Sequence, residues 1–164
     1  RRIHLVAHSM GGSIALLLPP QVLSRLESLV LVEPRLFRSS CGLAAMTAGV
    51  SKDEFCQSVF PEFRQRMSND PKVVFDLGRV DTDAFYASSR SLMELLAQRT
   101  LLQHYQRAEC RKFFVYGAEN QHLQELACIL PAQTIAIEQA GHFVMNDNPD
   151  SFYVCLSAIV DNLR

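Results

Sequence analysis

"LVAHSMGGSIALLL", residues 5–18, is an apolar run that stops at a histidine and a serine, passes two glycines, and becomes apolar again. Residues 3–7, "IHLVA", are β-branched and apolar enough for a short buried strand. Residues 10–17 read as a helix, which Pro19-Pro20 should end or break. Ser9 therefore stands where a buried strand hands over to a helix. A polar hydroxyl at that junction needs a physical reason.

Two reasons compete. Serine is a good helix cap. But Ala7-His8-Ser9-Met10-Gly11 is also a variant of G-x-S-x-G, with alanine at the first position. Small residues in that motif flank a sharp strand-to-helix turn, which strains the serine and lifts its hydroxyl out of the sheet. A simple cap does not call for them. A serine so placed also lies at a helix N-terminus, where backbone N–H groups stabilise a developing oxyanion. The Met10 N–H is the expected donor.

Working outward, residues 28–32, "SLVLV", form a second buried strand, stopped by Glu33-Pro34. A near-continuous apolar strand fits a parallel sheet covered on both faces. From residue 35 to 108 the pattern turns helical. "SKDEFCQSVFPEFRQRM" (51–67) opens with Ser51 and Glu54 in capping-box spacing, and Phe55, Val59, Phe63 and Met67 recur at helical intervals. "NDP" (69–71) breaks it, and residues 83–105 make one long helical stretch or two helices. Strand–helix alternation then resumes: "KFFVYG" (112–117) a strand, "QHLQELACIL" (121–130) a helix ended by Pro131, "QTIAIE" (133–138) a strand, "QAGHF" (139–143) a loop. Asn148-Pro149 opens a last helix with the stripe Phe152, Cys155, Leu156, Ile159, Val160 and Leu163. The pattern predicts an α/β fold with a mostly parallel sheet, flanking helices and a helical insertion. Its segments are a core part (1–34), the insertion (35–108) and a second core part (109–164).

Composition narrows the function. Of the 164 residues, 48% are hydrophobic and 20% charged, and the net charge of −1 offers no basic surface for nucleic acid or anionic lipid. No apolar run reaches the ~20 residues of a membrane helix. The five cysteines are widely spaced with no CxxC pair, which argues against a disulfide framework or a zinc site. Reduced thiols point to a cytoplasmic address. The sequence starts at Arg1 and shows no signal or transit segment.

A serine nucleophile needs a base. His142 is the best placed, in the loop after the last strand, because α/β sheets carry functional groups at strand C-terminal ends. His4 reads as packing, His8 as a variable motif position, and His104 and His122 as helix-surface or packing residues.

With these residues in view, "HLVAHSMGGSIAL" (4–16), "LVLVEP" (29–34), "FFVYGAEN" (113–120) and "IEQAGHFVMNDNP" (137–149) resemble, in order, the C-terminal part of an α/β-hydrolase. The helical insertion resembles that superfamily's lid. The resemblance implies that the elbow serine attacks an acyl carbon, the histidine is its base, and an acid orients the histidine. Family order is serine, acid, histidine. The acid usually follows the strand that here is "KFFVYG", in G-x-x-D; this chain has Gly117-Ala118-Glu119-Asn120, with an uncharged amide in that place. Some members carry the acid at the end of the preceding strand, where Glu33 stands; Glu119 is the alternative. Asp147 and Asp150 follow the histidine and break the order. The family's first strands, and a loop supplying a second oxyanion donor, precede the elbow. The resemblance thus implies a fold lacking those N-terminal strands, with activity belonging to the full-length protein.

The expected function is a serine hydrolase that cleaves a carboxylic ester, or an amide or thioester, of a small-molecule acyl substrate, with no cofactor and no metal. Phe55, Phe60, Phe63, Phe85, Tyr86, Leu92 and Leu95 offer either an apolar substrate wall or ordinary core. Carbon–carbon bond hydrolysis is an alternative within the superfamily. A non-catalytic small-molecule binder is the other; Asn120 favours it, and the joint presence of Ser9, Glu33 and His142 argues against it.

Overall fold

The computed structural model describes residues 3–69, 71–130 and 133–161. β1 (Ile3–His8) leads into α1 (Met10–Ala15), α2 (Pro20–Leu23) and β2 (Leu26–Val32). A helical stretch follows: α3 (Gly42–Ala45), α4 (Lys52–Glu54), α5 (Phe60–Arg66), α6 (Pro71–Gly78), α7 (Thr82–Ala97) and α8 (Leu101–Arg107). The chain closes with β3 (Arg111–Gly117), β4 (Thr134–Ile137), α9 (Val144–Asp147) and α10 (Pro149–Asp161). It divides into two compact units, Arg1–Phe37 with Thr100–Arg164, and Arg38–Arg99.

The first unit holds a sheet of four parallel strands in the order β1-β2-β3-β4. The expected strands are all present, with ends that shift by a residue or two. Leu29, Val30, Leu31 and Val32 are buried in succession. Successive strand side chains point to opposite faces, so β2 is covered on both. On one face Val30, Val32 and Val115 pack with Val144, Phe152 and Ile159, and Cys155 and Leu156 join them. Phe152, Cys155, Leu156 and Ile159 belong to the expected stripe of α10; Val160 is half-buried beside it, and Leu163 lies outside the described residues, as does Pro131. Asn148 caps this helix, its Oδ1 accepting the Ser151 N–H at 3.2 Å.

The predicted helix over 121–130 is not α-helical. Its residues make a 3₁₀ turn over Gln124–Cys128. Glu125 is buried, and its Oε1 accepts the Leu36 N–H at 3.3 Å. A tertiary hydrogen bond of that kind overrides a weak local helical preference.

In the second unit Ser51 caps α4 as its spacing predicts, accepting the Glu54 N–H at 3.1 Å. A π-helical turn, Phe55–Val59, joins α4 to α5. Pro61 accounts for it: proline has no N–H for the carbonyl four residues earlier, and its ring crowds that carbonyl. The turn inserts a residue, so Phe60 rather than Val59 takes the fully buried position. The aromatic residues form this unit's own core. Phe55 and Phe60 pack with Leu77, and Phe63, Phe85 and Tyr86 close around them. Phe55 is 0% exposed and Phe60 3%, so of the two roles open to them, substrate wall or core, they fill the core.

Candidate active site

Three strand ends in the first unit build the site. The β1–β2 ladder continues one residue past β1, where the Ser9 N–H donates to the Val32 carbonyl at 2.9 Å. The chain then turns sharply, with Ser9 at φ 53 and ψ −124. A non-glycine residue held there costs ~1–3 kcal/mol, and such strain concentrates at functional positions. The Ser9 carbonyl accepts the Gly12 N–H at 3.0 Å, which fixes the start of α1. Among the described residues Ser9 makes no side-chain capping bond to α1. Its hydroxyl lies instead 3.1 Å from His142 Nε2.

The glycine that the turn needs is Gly12. A Cβ there would meet the Pro34 Cβ at 2.7 Å, whereas one at Gly11 meets no described atom within 4 Å. Gly12→Ala is therefore expected to destabilise the protein by ~1–3 kcal/mol, the usual cost of overpacking a tight contact. The midpoint of denaturant unfolding checks it; an unchanged midpoint means Pro34 yields freely.

Glu33 repeats the device on the next strand. Its N–H donates to the Val115 carbonyl at 2.9 Å, and its φ is 42. The side chain is 1% exposed. Oε1 accepts the Gly117 N–H at 3.0 Å and Asn120 Nδ2 at 2.8 Å. Oε2 accepts His142 Nδ1 at 2.8 Å and the same Asn120 nitrogen at 3.0 Å. Burial disfavours the charged carboxylate, but the bonds from His142, Asn120 and Gly117 together outweigh it, so the carboxyl lies below its usual range.

His142 stands in the loop that follows β4. Gln139 enters the loop at φ 54. The Glu119 N–H holds the Ala140 carbonyl at 3.2 Å, and Asp147 Oδ2 accepts the Gly141 N–H at 3.0 Å. A carboxylate only accepts, so Nδ1 of His142 carries the proton toward Glu33. Nε2 is left as a lone pair facing the Ser9 hydroxyl. Of the four non-glycine residues at positive φ among the described residues, Ser9, Glu33 and Gln139 follow strand ends and only Arg99 follows a helix, so the strain near the sheet gathers at one rim.

The other sequence candidates fall as follows. Met10 is the first residue of α1, and an N–H at that position has no partner inside its own helix. Glu119 sits in the 3₁₀ turn after β3, beside Gly141; the carboxylate on the imidazole is that of Glu33. Asp150 is in the first turn of α10. His4 Nδ1 lies 2.9 Å from the buried Ser28 hydroxyl, and His104 and His122 are exposed.

Two neighbours of the histidine escaped the sequence reading. Arg35 Nη2 lies 3.1 Å from Nδ1 and 3.0 Å from Nε2 of His142. Nδ1 directs its proton to Glu33, and one nitrogen cannot lie in the ring plane along the diverging directions of both ring nitrogens, so this is a cation set against the ring. His8 Nε2 lies 2.9 Å from the His142 carbonyl oxygen. Nothing in "VEPR" or "AHS" distinguishes these two from ordinary loop and motif-filling residues.

Among the described residues no group of three His, Cys, Asp or Glu side chains is placed to hold a metal ion, and no helix is long and apolar enough to cross a membrane.

Residues 1–153 match the sequence model of the alpha/beta hydrolase family. No curated protein sequence matches the chain. Among solved structures it is similar to a carboxylesterase of the thaumarchaeon Nitrososphaera gargenis, with 13% identity and a TM-score of 0.64. It is also similar to a thermophilic esterase from Thermogutta terrifontis, with 17% identity and a TM-score of 0.68. A third is E-2-(acetamidomethylene)succinate hydrolase, with 14% identity, a TM-score of 0.62, and coverage of 96% of this chain and 66% of that one. Each of the two esterases covers 99% of this chain, and the chain spans 65% of theirs. At such identities the likeness is one of fold.

Proposed function

The chain belongs to the α/β-hydrolase family, and from that premise we propose that Ser9, His142 and Glu33 are the nucleophile, base and orienting acid of a serine hydrolase. The observation that carries this is an unbroken hydrogen-bond chain, Ser9 Oγ to His142 Nε2 at 3.1 Å and His142 Nδ1 to Glu33 Oε2 at 2.8 Å. The substrate class is a small-molecule carboxylic ester, with amides and thioesters open to the same chemistry. The activity is that of the whole protein.

In the first half-reaction His142 Nε2 takes the Ser9 proton as Oγ attacks the acyl carbon. The carbonyl electrons move onto oxygen, and the Met10 N–H donates to that oxyanion. The intermediate collapses as His142 returns the proton to the departing alcohol, leaving the acyl group on Ser9. Water then enters and attacks the acyl carbon, losing a proton to His142; the bond to Ser9 Oγ breaks, His142 returns that proton to Oγ, and the acid is released. Glu33 stays ionised throughout, holding the ring in its Nδ1–H tautomer and offsetting the charge of the imidazolium. The amide at the family's usual acid place fits this reading, because Asn120 donates to both oxygens of Glu33.

An acyl-enzyme that forms faster than it hydrolyses gives a burst of product. The intact protein mixed with a series of p-nitrophenyl esters is expected to release a burst of p-nitrophenol matching its active-site concentration. Ser9→Ala is expected to release none. Turnover that survives Ser9→Ala removes the serine from the reaction.

A further inference from the structure

We propose that His8 is a positioning residue for the proton relay, tying the nucleophile's turn to the backbone of the base; this rests on the reading of Ser9 and His142 given above. His8 immediately precedes Ser9, and its Nε2 lies 2.9 Å from the carbonyl oxygen of His142. A carbonyl only accepts, so Nε2 of His8 carries the proton and donates it. The two ring centroids are 4.7 Å apart, with planes tilted by 39°. Phe143 closes the cluster, its ring 5.4 Å from His8 and 5.1 Å from His142.

The geometry explains why this contact matters more than its single bond. Ser9 and His142 are 133 residues apart in sequence, so their 3.1 Å contact depends on two separate loops keeping register. The adjoining bonds, from Glu119 to Ala140 and from Gly141 to Asp147, brace the histidine loop against elements other than β1. The His8 bond runs from the residue next to the nucleophile to the main chain of the base. Movement of either loop therefore has to break it. The ring contact also limits the swing of the imidazole about its own side-chain bonds.

The electrostatics agree. Burial lowers the His8 imidazole from its usual value, against which the bond to the His142 carbonyl works. Of the titratable groups around it, His142 and Arg35 lower it further and Glu33 raises it. His8 is thus uncharged at neutral pH, with one ring proton, and that proton is committed to the carbonyl.

The test compares two replacements in the intact protein. His8→Phe keeps a ring for the packing and loses the donor. His8→Gln keeps an amide N–H at a similar reach. Active sites are counted by titration with a fluorophosphonate, so that misfolded molecules do not enter the rate. Per titrated site, His8→Phe is expected to lower kcat roughly tenfold with KM little changed, short of the ~10²-fold that a displacement of ~1 Å brings. His8→Gln is expected to recover most of that loss. A purely structural role would lower the number of competent sites and leave the rate per site alone. Long-range proton–nitrogen correlation on histidine-labelled protein gives an independent readout, with His8 expected as the Nε2–H tautomer at neutral pH. Equal rates per site in His8→Phe and wild type, or His8 found as the Nδ1–H tautomer, overturn the proposal while leaving the Ser9 mechanism standing. Turnover that persists in Ser9→Ala takes down both.

Discussion

Glu33→Gln is expected to lower kcat by ~10⁴-fold in a protein that still folds. The two side chains have nearly the same shape, so the change is one of hydrogen-bond polarity. A glutamine can keep its oxygen at the Oε1 position, where Gly117 and Asn120 donate. Its NH₂ then faces His142 Nδ1, which now has to accept. That forces the imidazole proton onto Nε2, the atom that must receive the Ser9 proton. The base is lost without disturbing its place. Glu119→Gln, at the runner-up position, is expected to leave turnover close to wild type. The reverse pattern, with Glu33→Gln active and Glu119→Gln inactive, would transfer the acid role to Glu119.

The same carboxylate gives a pH dependence of stability. Its folded value lies below the ordinary range, so the unfolded chain binds the proton more readily. The stability that ionised Glu33 contributes is complete above the ordinary carboxylate range and is lost as pH falls through the depressed folded value. Wild type should therefore weaken on acidification more than Glu33→Gln does, and unfolding midpoints taken across that window show whether the two converge.

Gly117→Ala is expected to cost about 10²-fold in kcat, the scale of a ~1 Å misplacement of a reacting group. Gly117 has φ −74 and ψ 135, a conformation that alanine adopts freely, so backbone strain is not the cause. The cause is space. A Cβ at this position would run into the carbonyls of Ala140 and Gly141. These are main-chain atoms of the histidine loop, and they cannot swing aside like the tip of a lysine. Either the loop moves, taking His142 away from Ser9, or β3 moves and withdraws the Gly117 N–H from Glu33. Both routes damage the relay. Rates per titrated site separate this from a loss of folded protein, and an unchanged rate would mean the loop has slack that the static contact conceals.

Much of this arrangement was legible in the sequence. The strands read correctly because β-branched and apolar runs, closed by Gly117, Glu33-Pro34 or a helix start, have few alternatives. Ser9 stood out because small residues surround a polar one at a strand-to-helix junction. Ser51 announced its cap by the spacing to Glu54, and Asn148 by the proline that follows it. What the sequence did not disclose depends on atoms brought together from far along the chain. The close approach of Gly117 to the histidine loop leaves no trace in "KFFVYG". The choice of Gly12 over Gly11 as the tight glycine depends on where Pro34 lies. Arg35 and His8 reach His142 across more than a hundred residues. The π-helical turn before Pro61 moved the buried position from Val59 to Phe60, and the aromatics suited to a substrate wall were used up as core.

The most direct test of the account is to find which atom carries the acyl chemistry. The intact protein is treated with a fluorophosphonate, digested and sequenced by mass spectrometry. The adduct is expected on Ser9, in the peptide containing His8-Ser9-Met10, and absent from Ser9→Ala. An adduct on another residue, or ester turnover with Ser9 unmodified, contradicts it.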